Sequence, residues 1–255
     1  MQNRIIASFL RRGGGLTNAG GLSYASGLSR KSAFTLAEVL ITLGIIGIIA
    51  AMTLPSLVGK YRSKAASVQL KKMYSVISQA MLRAIPDGDY NNLSFADGGD
   101  TNSVLEFFNN YLKPQIKTMN IKSGLYANDF KKFNKKNQSI DCGSGVLSFQ
   151  TPDGYEFYID TWKNSDAEVV QNKYGVDLNG ISGSIVVVYA DVNGQKKPNT
   201  LGKDVFVYVL NRKGLQPAGI SKNDTEVETE CKNTGYYCFT KIMRNGWKVS
   251  QDDVY

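Results

Sequence analysis

The sequence contains no histidine and only three cysteines among its 255 residues. Without histidine, Ser-His-Asp and Cys-His catalysis are excluded, together with every histidine-containing zinc or iron site. Three cysteines are also too few for an all-cysteine zinc site, which needs four thiolates. An enzyme is therefore disfavoured. It would have to be a hydrolase built on Asp and Glu, and no carboxylate pair in the chain has a motif that supports this.

The three cysteines allow one disulfide bond with three alternative pairings. Cys231 and Cys238 enclose a short loop that contains Gly235, and this loop suits a disulfide in an oxidising compartment. The sequence alone does not select a pairing, although we expect Cys142 to be the free thiol.

Acidic residues are absent from residues 1–33, which contain five basic residues and are rich in Gly and Ser. The net charge of the whole chain is +8, but the chain after residue 33 has 25 basic and 22 acidic residues. The positive charge therefore belongs mainly to the leader, and a nucleic-acid partner is disfavoured. We interpret residues 1–33 as a cytoplasmic leader peptide, with a disordered tail as the alternative.

The 20 residues from Val39 to Val58 carry no charge. As a helix they would be about 30 Å long, the thickness of the hydrocarbon core of a bilayer. A buried core helix would rarely be so long or apolar on all sides. We therefore predict that residues 34–58 form the transmembrane part of a helix. Pro55 should bend or loosen this helix near Ala51 and Met52.

An amphipathic pattern follows, and it predicts that the helix continues over residues 59–85 and packs on a globular head of residues 86–255. Its apolar stripe consists of Met73, Val76, Ile77, Ala80, Met81, Ala84 and Ile85. A second, short helix is predicted over Ser103–Leu112, ending before Pro114.

Later in the chain the apolar period falls to two, which is typical of strands. The predicted strands are Val146–Gln150, Tyr155–Asp160, Ser184–Ala190 and Asp204–Leu210. The tail, Tyr236–Val249, is compatible with a hairpin or with a helix followed by a strand. We thus predict an α+β fold, in which a long N-terminal helix packs on a C-terminal antiparallel sheet.

The segment Lys31–Ile41 (KSAFTLAEVLI) resembles the class III signal of type IV pilins and type II secretion pseudopilins. The likeness comprises the basic pair, the small residue, Phe34, Thr35, Leu36, Glu at the fifth place after the break, the apolar span and a late proline. Two later segments, Asp191–Phe206 and Gly246–Lys248, resemble pilin-like proteins of the secretion class more weakly.

The resemblance implies that a prepilin peptidase cuts between Ala33 and Phe34 and then N-methylates Phe34. The residue before the cut is usually Gly, and Ala33 is the next smallest choice. Glu38 would act in assembly, because cleavage creates a cationic amine that can attract the carboxylate of an incoming subunit. The alternative is that Glu38 merely occupies a helix start, where the helix dipole favours an acid.

The function implied is a structural subunit of a type II secretion pseudopilus, with a type IV pilin for adhesion, motility or DNA uptake as the alternative. An uncleaved, membrane-anchored binding protein is the alternative of another class. Implied partners are other pilin subunits, the prepilin peptidase, an inner-membrane assembly platform and membrane lipid. The implied location is the inner membrane, crossed once, with the head outside the cytoplasm.

Two further clusters suggest ligands. Asp191, Asn193 and Asp204 offer oxygen donors of the kind that calcium prefers, although their spacing is not that of an EF-hand and turn formation explains the same residues. Secretion-class pseudopilins often bind calcium in loops of the head, so the resemblance makes calcium a candidate ligand here, although no cofactor is required. The run Phe130–Lys136 alternates aromatic and basic residues as some DNA-binding surfaces do, but a solvated loop is the favoured interpretation.

Overall fold

The computed structural model describes residues 34–85, 88, 90, 93, 98–181, 183–211 and 213–250. The chain divides into two units, residues 1–49 and residues 50–255. The fold is α+β, as predicted, with one long N-terminal helix followed by a six-stranded antiparallel sheet.

The first helix, α1, extends from Leu36 to Ala84 without a break, and Pro55 lies inside it. In the second unit one face of α1 is buried, and it comprises Ala66, Leu70, Met73, Ile77, Ala80 and Met81. Tyr74 stacks on Tyr208 of the sheet with ring centroids 5.4 Å apart. Near the base of the stripe, the Ser67 hydroxyl donates to the carbonyl of Trp247 over 2.7 Å. The amphipathic half of α1 therefore packs on the head, as the stripe predicts.

Short helices surround the sheet. They are α2 (Thr101–Phe107), a π-helical turn (Phe108–Leu112), α3 (Ala127–Phe130), a 3-10 turn (Asn164–Asp166), α4 (Ala167–Tyr174), α5 (Asp224–Asn233) and α6 (Cys238–Arg244). The predicted helix over residues 103–112 is thus present as α2 and the π-helical turn. The carboxylate of Asp100 caps α2 by accepting the Ser103 N–H over 2.8 Å.

The strands are β1 (Met119–Tyr126), β2 (Ser144–Gln150), β3 (Glu156–Trp162), β4 (Ile185–Asp191), β5 (Val205–Asn211) and β6 (Gly214–Pro217). Their order in the sheet is their order in the chain, and all neighbours are antiparallel. The four predicted strands correspond to β2, β3, β4 and β5. β1 and β6, which form the two edges, were not predicted.

Both faces of the sheet are covered. Phe157 and Ile159 of β3 belong to a core that includes the stripe of α1, whereas their neighbour Tyr158 belongs to a second core that includes α4. Strands β3 and β4 are consequently buried on both sides. The tail differs from both alternatives considered for it, because α6 is followed by a turn and by no strand within the described residues up to Ser250.

Candidate functional site

The start of α1 is held by a reciprocal pair of hydrogen bonds between Thr35 and Glu38. The Glu38 carboxylate accepts from the Thr35 backbone N–H and from the Thr35 hydroxyl, each over 2.9 Å. In return the Glu38 N–H donates to the Thr35 hydroxyl over 3.2 Å. This is a capping box, in which the acid satisfies a backbone donor that the helix leaves free. In this chain Glu38 thus has a local partner at the helix start.

The uncharged run that follows Glu38 meets the requirements of a membrane span in length and composition. An 18-residue window of α1 has a mean hydropathy of 2.2, and none of it is buried. From Val39 to Val58 every side chain except that of Ala50 is exposed. A large exposed apolar surface of this kind needs lipid or other apolar surfaces around it. The helix therefore fits a single-pass membrane anchor.

Of the two residues at the predicted cleavage position, the structure describes one. Phe34 is described and exposed, whereas Ala33 and the leader lie outside the described residues. Pro55 lies within α1, which continues through it. Processing at Ala33–Phe34 remains a prediction from the motif.

The cysteines are placed in the head as a pair and a single thiol. A disulfide joins Cys231 in α5 to Cys238 in α6, and both residues belong to the core shared with α1. Cys142 is free and buried in the second core. Burial raises the pKa of the Cys142 thiol to about 12, so this thiol stays protonated and unreactive at neutral pH.

The predicted calcium ligands lie in a cluster that already contains a cation, the ammonium of Lys132. Its Nζ donates to Asp191 Oδ2, to the carbonyl of Gly194 over 3.1 Å and to Asn199 Oδ1 over 2.9 Å. Lys132 and Asp191 are both almost completely buried. A buried charge is stable only when it is paired and hydrogen-bonded, and this cluster meets both conditions.

Backbone donors satisfy the other predicted ligands. Asp204 accepts the N–H groups of Asn199 and Thr200 over 2.8 and 2.6 Å, and Asp191 Oδ1 accepts the N–H of Asn193 over 2.9 Å. Among the described residues, no group of three or more His, Cys, Asp or Glu side chains could hold a metal ion. Calcium binding remains an untested prediction. The cluster already contains the ammonium of Lys132, and its positive charge would repel a divalent cation.

Lys132 also changes the interpretation of the run Phe130–Lys136. Phe130 and Lys132 are buried, while Lys131 between them is exposed. Phe130 packs edge-on against Tyr158, with ring centroids 4.6 Å apart. The run is therefore neither a continuous basic surface nor a fully solvated loop, because two of its residues anchor it to the sheet.

A second buried carboxylate, Asp160 on β3, lacks a compensating cation of this kind. It is almost fully buried, and its Oδ2 has no hydrogen-bond partner among the described residues. Gly143, with φ of +88°, covers it so closely that an added Cβ would lie 2.8 Å from Oδ2. Burial raises the pKa of Asp160 from 3.8 to about 8.

This shift predicts that the head loses stability as the pH rises. The folded state holds a proton on Asp160 that the unfolded chain releases near pH 4, so the stabilisation is complete below that pH and disappears as the pH passes about 8. The advantage of Asp160→Asn over the wild type should be small at pH 5 and should grow to several kcal/mol at pH 9, measured by chemical denaturation. Asp141→Asn, which changes an exposed neighbour, should leave the wild-type pH dependence intact. An unchanged pH profile in Asp160→Asn would contradict the assignment.

Sequence patterns did not indicate Lys132, Glu156 or Asp160 as special residues. Each is a charged residue at a position that folding buries. Asp160 and Glu156 alternate with apolar residues along β3, which is the pattern of a strand with one solvated face. The available signal was that the face they occupy also carries two aromatic residues, Tyr158 and Trp162.

Comparison with known proteins gives two matches to family models. Residues 56–253 match the Family of unknown function (DUF6613), and residues 28–54 match the prokaryotic N-terminal methylation motif. No curated protein and no solved structure matches the chain. The second match covers the segment from Lys31 to Glu38 and confirms the resemblance to the class III signal of type IV pilin-like proteins.

Proposed function

Because the chain belongs to the Family of unknown function (DUF6613) and its first helix carries a pilin-type methylation motif, we propose that it is a structural filament subunit. The finer proposal is a pseudopilin of a type II secretion pseudopilus, which the weaker resemblance of residues 191–206 favours. A pilin-like protein of this kind is a structural rather than an enzymatic component. The observation that carries the proposal is the motif itself, with Glu38 next to an uncharged span.

Assembly would use a change of charge at the N-terminus. In the uncut chain the Phe34 nitrogen is a neutral amide, and the Glu38 carboxylate bonds to Thr35. Cleavage after Ala33 turns that nitrogen into a cation, and methylation preserves the charge. In lipid, where an unpaired charge is unfavourable, the new cation of one subunit would attract Glu38 of its neighbour and set the axial register of the filament.

The position of the head outside the cytoplasm has separate support. The Cys231–Cys238 disulfide suits an oxidising compartment, such as the periplasm or the cell surface. The membrane-spanning part of α1 would then lie in the inner membrane, where the prepilin peptidase and an assembly platform would act on the chain. Other pilin subunits would surround the same apolar surface within the filament.

Mass spectrometry of the N-terminus tests the proposal directly. In cells that contain the prepilin peptidase, we expect a mature chain of 222 residues that begins with N-methyl-Phe34. Ala33→Gly restores the usual residue before the cut, so it should be cleaved at least as completely. A chain that keeps Met1 in peptidase-containing cells would instead favour the uncleaved membrane-anchored binding protein.

A further inference from the structure

A polar cleft of about 470 Å³ opens beside the Lys132 cluster, on the sheet face opposite α1. It is bounded by β1, by α3 and by the loop that follows β4, and most of its lining side chains are polar. Its volume lies within the range of small-molecule sites in proteins. Its polarity, however, is unlike that of a site for an apolar ligand. The cleft is therefore suited to a small ligand with many hydrogen-bonding groups.

Glu156 in the wall of the cleft has an unsatisfied oxygen. The residue is only 3% exposed, and its Oε1 accepts a long hydrogen bond of 3.4 Å from Gln195. Its Oε2 has no hydrogen-bond partner among the described residues. A buried acceptor without a donor is unfavourable, and native proteins rarely leave one. The Glu156 carboxylate in the cleft wall, which the Tyr158 hydroxyl also approaches, therefore has capacity for a further hydrogen bond.

The missing donor is a neutral group rather than a cation. Lys132 Nζ lies 3.7 Å from Glu156 Oε2, which balances the charge of the carboxylate. An ammonium has three N–H groups, and Lys132 directs its hydrogen bonds to Asp191, Gly194 and Asn199 instead. A second ammonium beside Lys132 would be repelled. A hydroxyl group meets the remaining requirement, because it donates a hydrogen bond without adding charge.

The rim of the cleft, unlike its inner wall, favours a charged group, namely an anion. Lys122 and Lys131 are exposed there, and the single rim carboxylate, Asp129, already accepts the N–H of Tyr126 over 3.1 Å. Exposed lysines at the mouth of a polar cleft favour an anionic group. A ligand that fits both the inner wall and the rim has hydroxyl groups at its inner end and a carboxylate at its outer end.

We propose that this cleft binds an acidic sugar unit, such as a hexuronate residue of a polysaccharide. A ring hydroxyl donates to the carboxylate of Glu156, and the sugar carboxylate interacts with Lys122 and Lys131. The amides of Gln195 and Asn199, which also line the cleft, offer further partners for the ring hydroxyls. None of the residues that line the cleft lies on α1, the helix that makes the proposed assembly contacts.

The test is calorimetric titration of the full-length protein in detergent with digalacturonic acid, and with the neutral disaccharide galactobiose as the matched probe. The wild type should bind both and should bind digalacturonic acid more tightly. Glu156→Gln should weaken both interactions by about tenfold or more, because the charged acceptor is lost. The double variant Lys122→Gln, Lys131→Gln should weaken only the binding of digalacturonic acid.

Glu168→Gln provides the matched control, because Glu168 is exposed and lies outside the cleft lining. It should bind like the wild type. The two rim lysines are exposed, so their double variant keeps the proposal testable if Glu156→Gln fails to fold. Absence of binding of both probes, equal affinity of wild type and folded Glu156→Gln, or equal loss in Glu168→Gln would each overturn the proposal.

Discussion

Replacing Glu38 by Gln is expected to leave membrane insertion and cleavage intact while reducing incorporation into filaments by about tenfold or more. Glu38→Ala should behave in the same way. The span from Val39 to Val58 is unchanged in both variants, and the peptidase acts before Glu38 acquires a cationic partner. Only the attraction between the carboxylate and the neighbour's new amine is lost. The measurement is the fraction of mature subunit in sheared fibres relative to the membrane fraction.

Thr35→Val separates this mechanism from a purely local role. Glu38 and Thr35 form a capping box, so a helix-start function would depend on both side chains. Glu38→Gln retains an oxygen that can accept the Thr35 hydrogen bonds but removes the charge. Thr35→Val retains the charge but removes the hydroxyl. Charge pairing predicts that only Glu38→Gln is excluded from fibres. Equal incorporation of Glu38→Gln and wild type would reject it, and loss of Thr35→Val alone from the fibres would assign Glu38 to the cap alone.

The long helix could be predicted from the sequence because its signals are local. An uncharged run and a stripe spaced by three and four residues can each be recognised without knowing what they contact. Helix α1 indeed extends over both, from Leu36 to Ala84, and buries most of the stripe. The same holds for β2, β3, β4 and β5, in which β-branched and aromatic residues concentrate between turn-forming segments.

The second face of the sheet could not be predicted, because distant segments cover it. Strand β1 is largely exposed and pairs with β2 through an irregular register, so its sequence lacks the alternation of a half-buried strand. Helix α4 has only eight residues, of which Val170 and Tyr174 are buried. Neither segment has a pattern strong enough to identify it in isolation. Without them, β3 resembles a strand with one solvated face.

The buried lysine was missed for a related reason. Lys132 lies among four lysines in residues 131–136, and nothing in their spacing distinguishes the one that folding buries. Its acceptors are separated from it by about sixty residues along the chain, at Asp191, Gly194 and Asn199. The chemistry of Asp191 and Asp204 predicts a cation-binding group. The same chemistry does not indicate that a side chain of the protein itself is the cation.

Lys132→Met is expected to lower the free energy of unfolding of the head by about 3–5 kcal/mol, because it leaves a buried carboxylate without its partner. Methionine approximates the length of the lysine stem, so the change is mainly one of charge and hydrogen bonding. The measurement is chemical denaturation of the full-length protein in mild detergent, where the midpoint should fall without a change in slope. Lys131→Met alters the exposed neighbour and should cost about 0.5 kcal/mol or less.

The pH dependence of this deficit identifies its cause. Burial raises the pKa of Asp191 to about 7, although the positive charge of Lys132 lowers it. Removing the lysine should therefore raise this pKa further. A carboxyl whose pKa is raised on folding stabilises the protein below that pKa and loses the effect above it. The deficit of Lys132→Met should therefore be smaller at pH 5 than at pH 8, and adding Asp191→Asn should recover part of it at pH 8. If the deficit were the same at both values, lost packing of the lysine stem would explain it, and the charge cluster would not be what holds the loop after β4 in place.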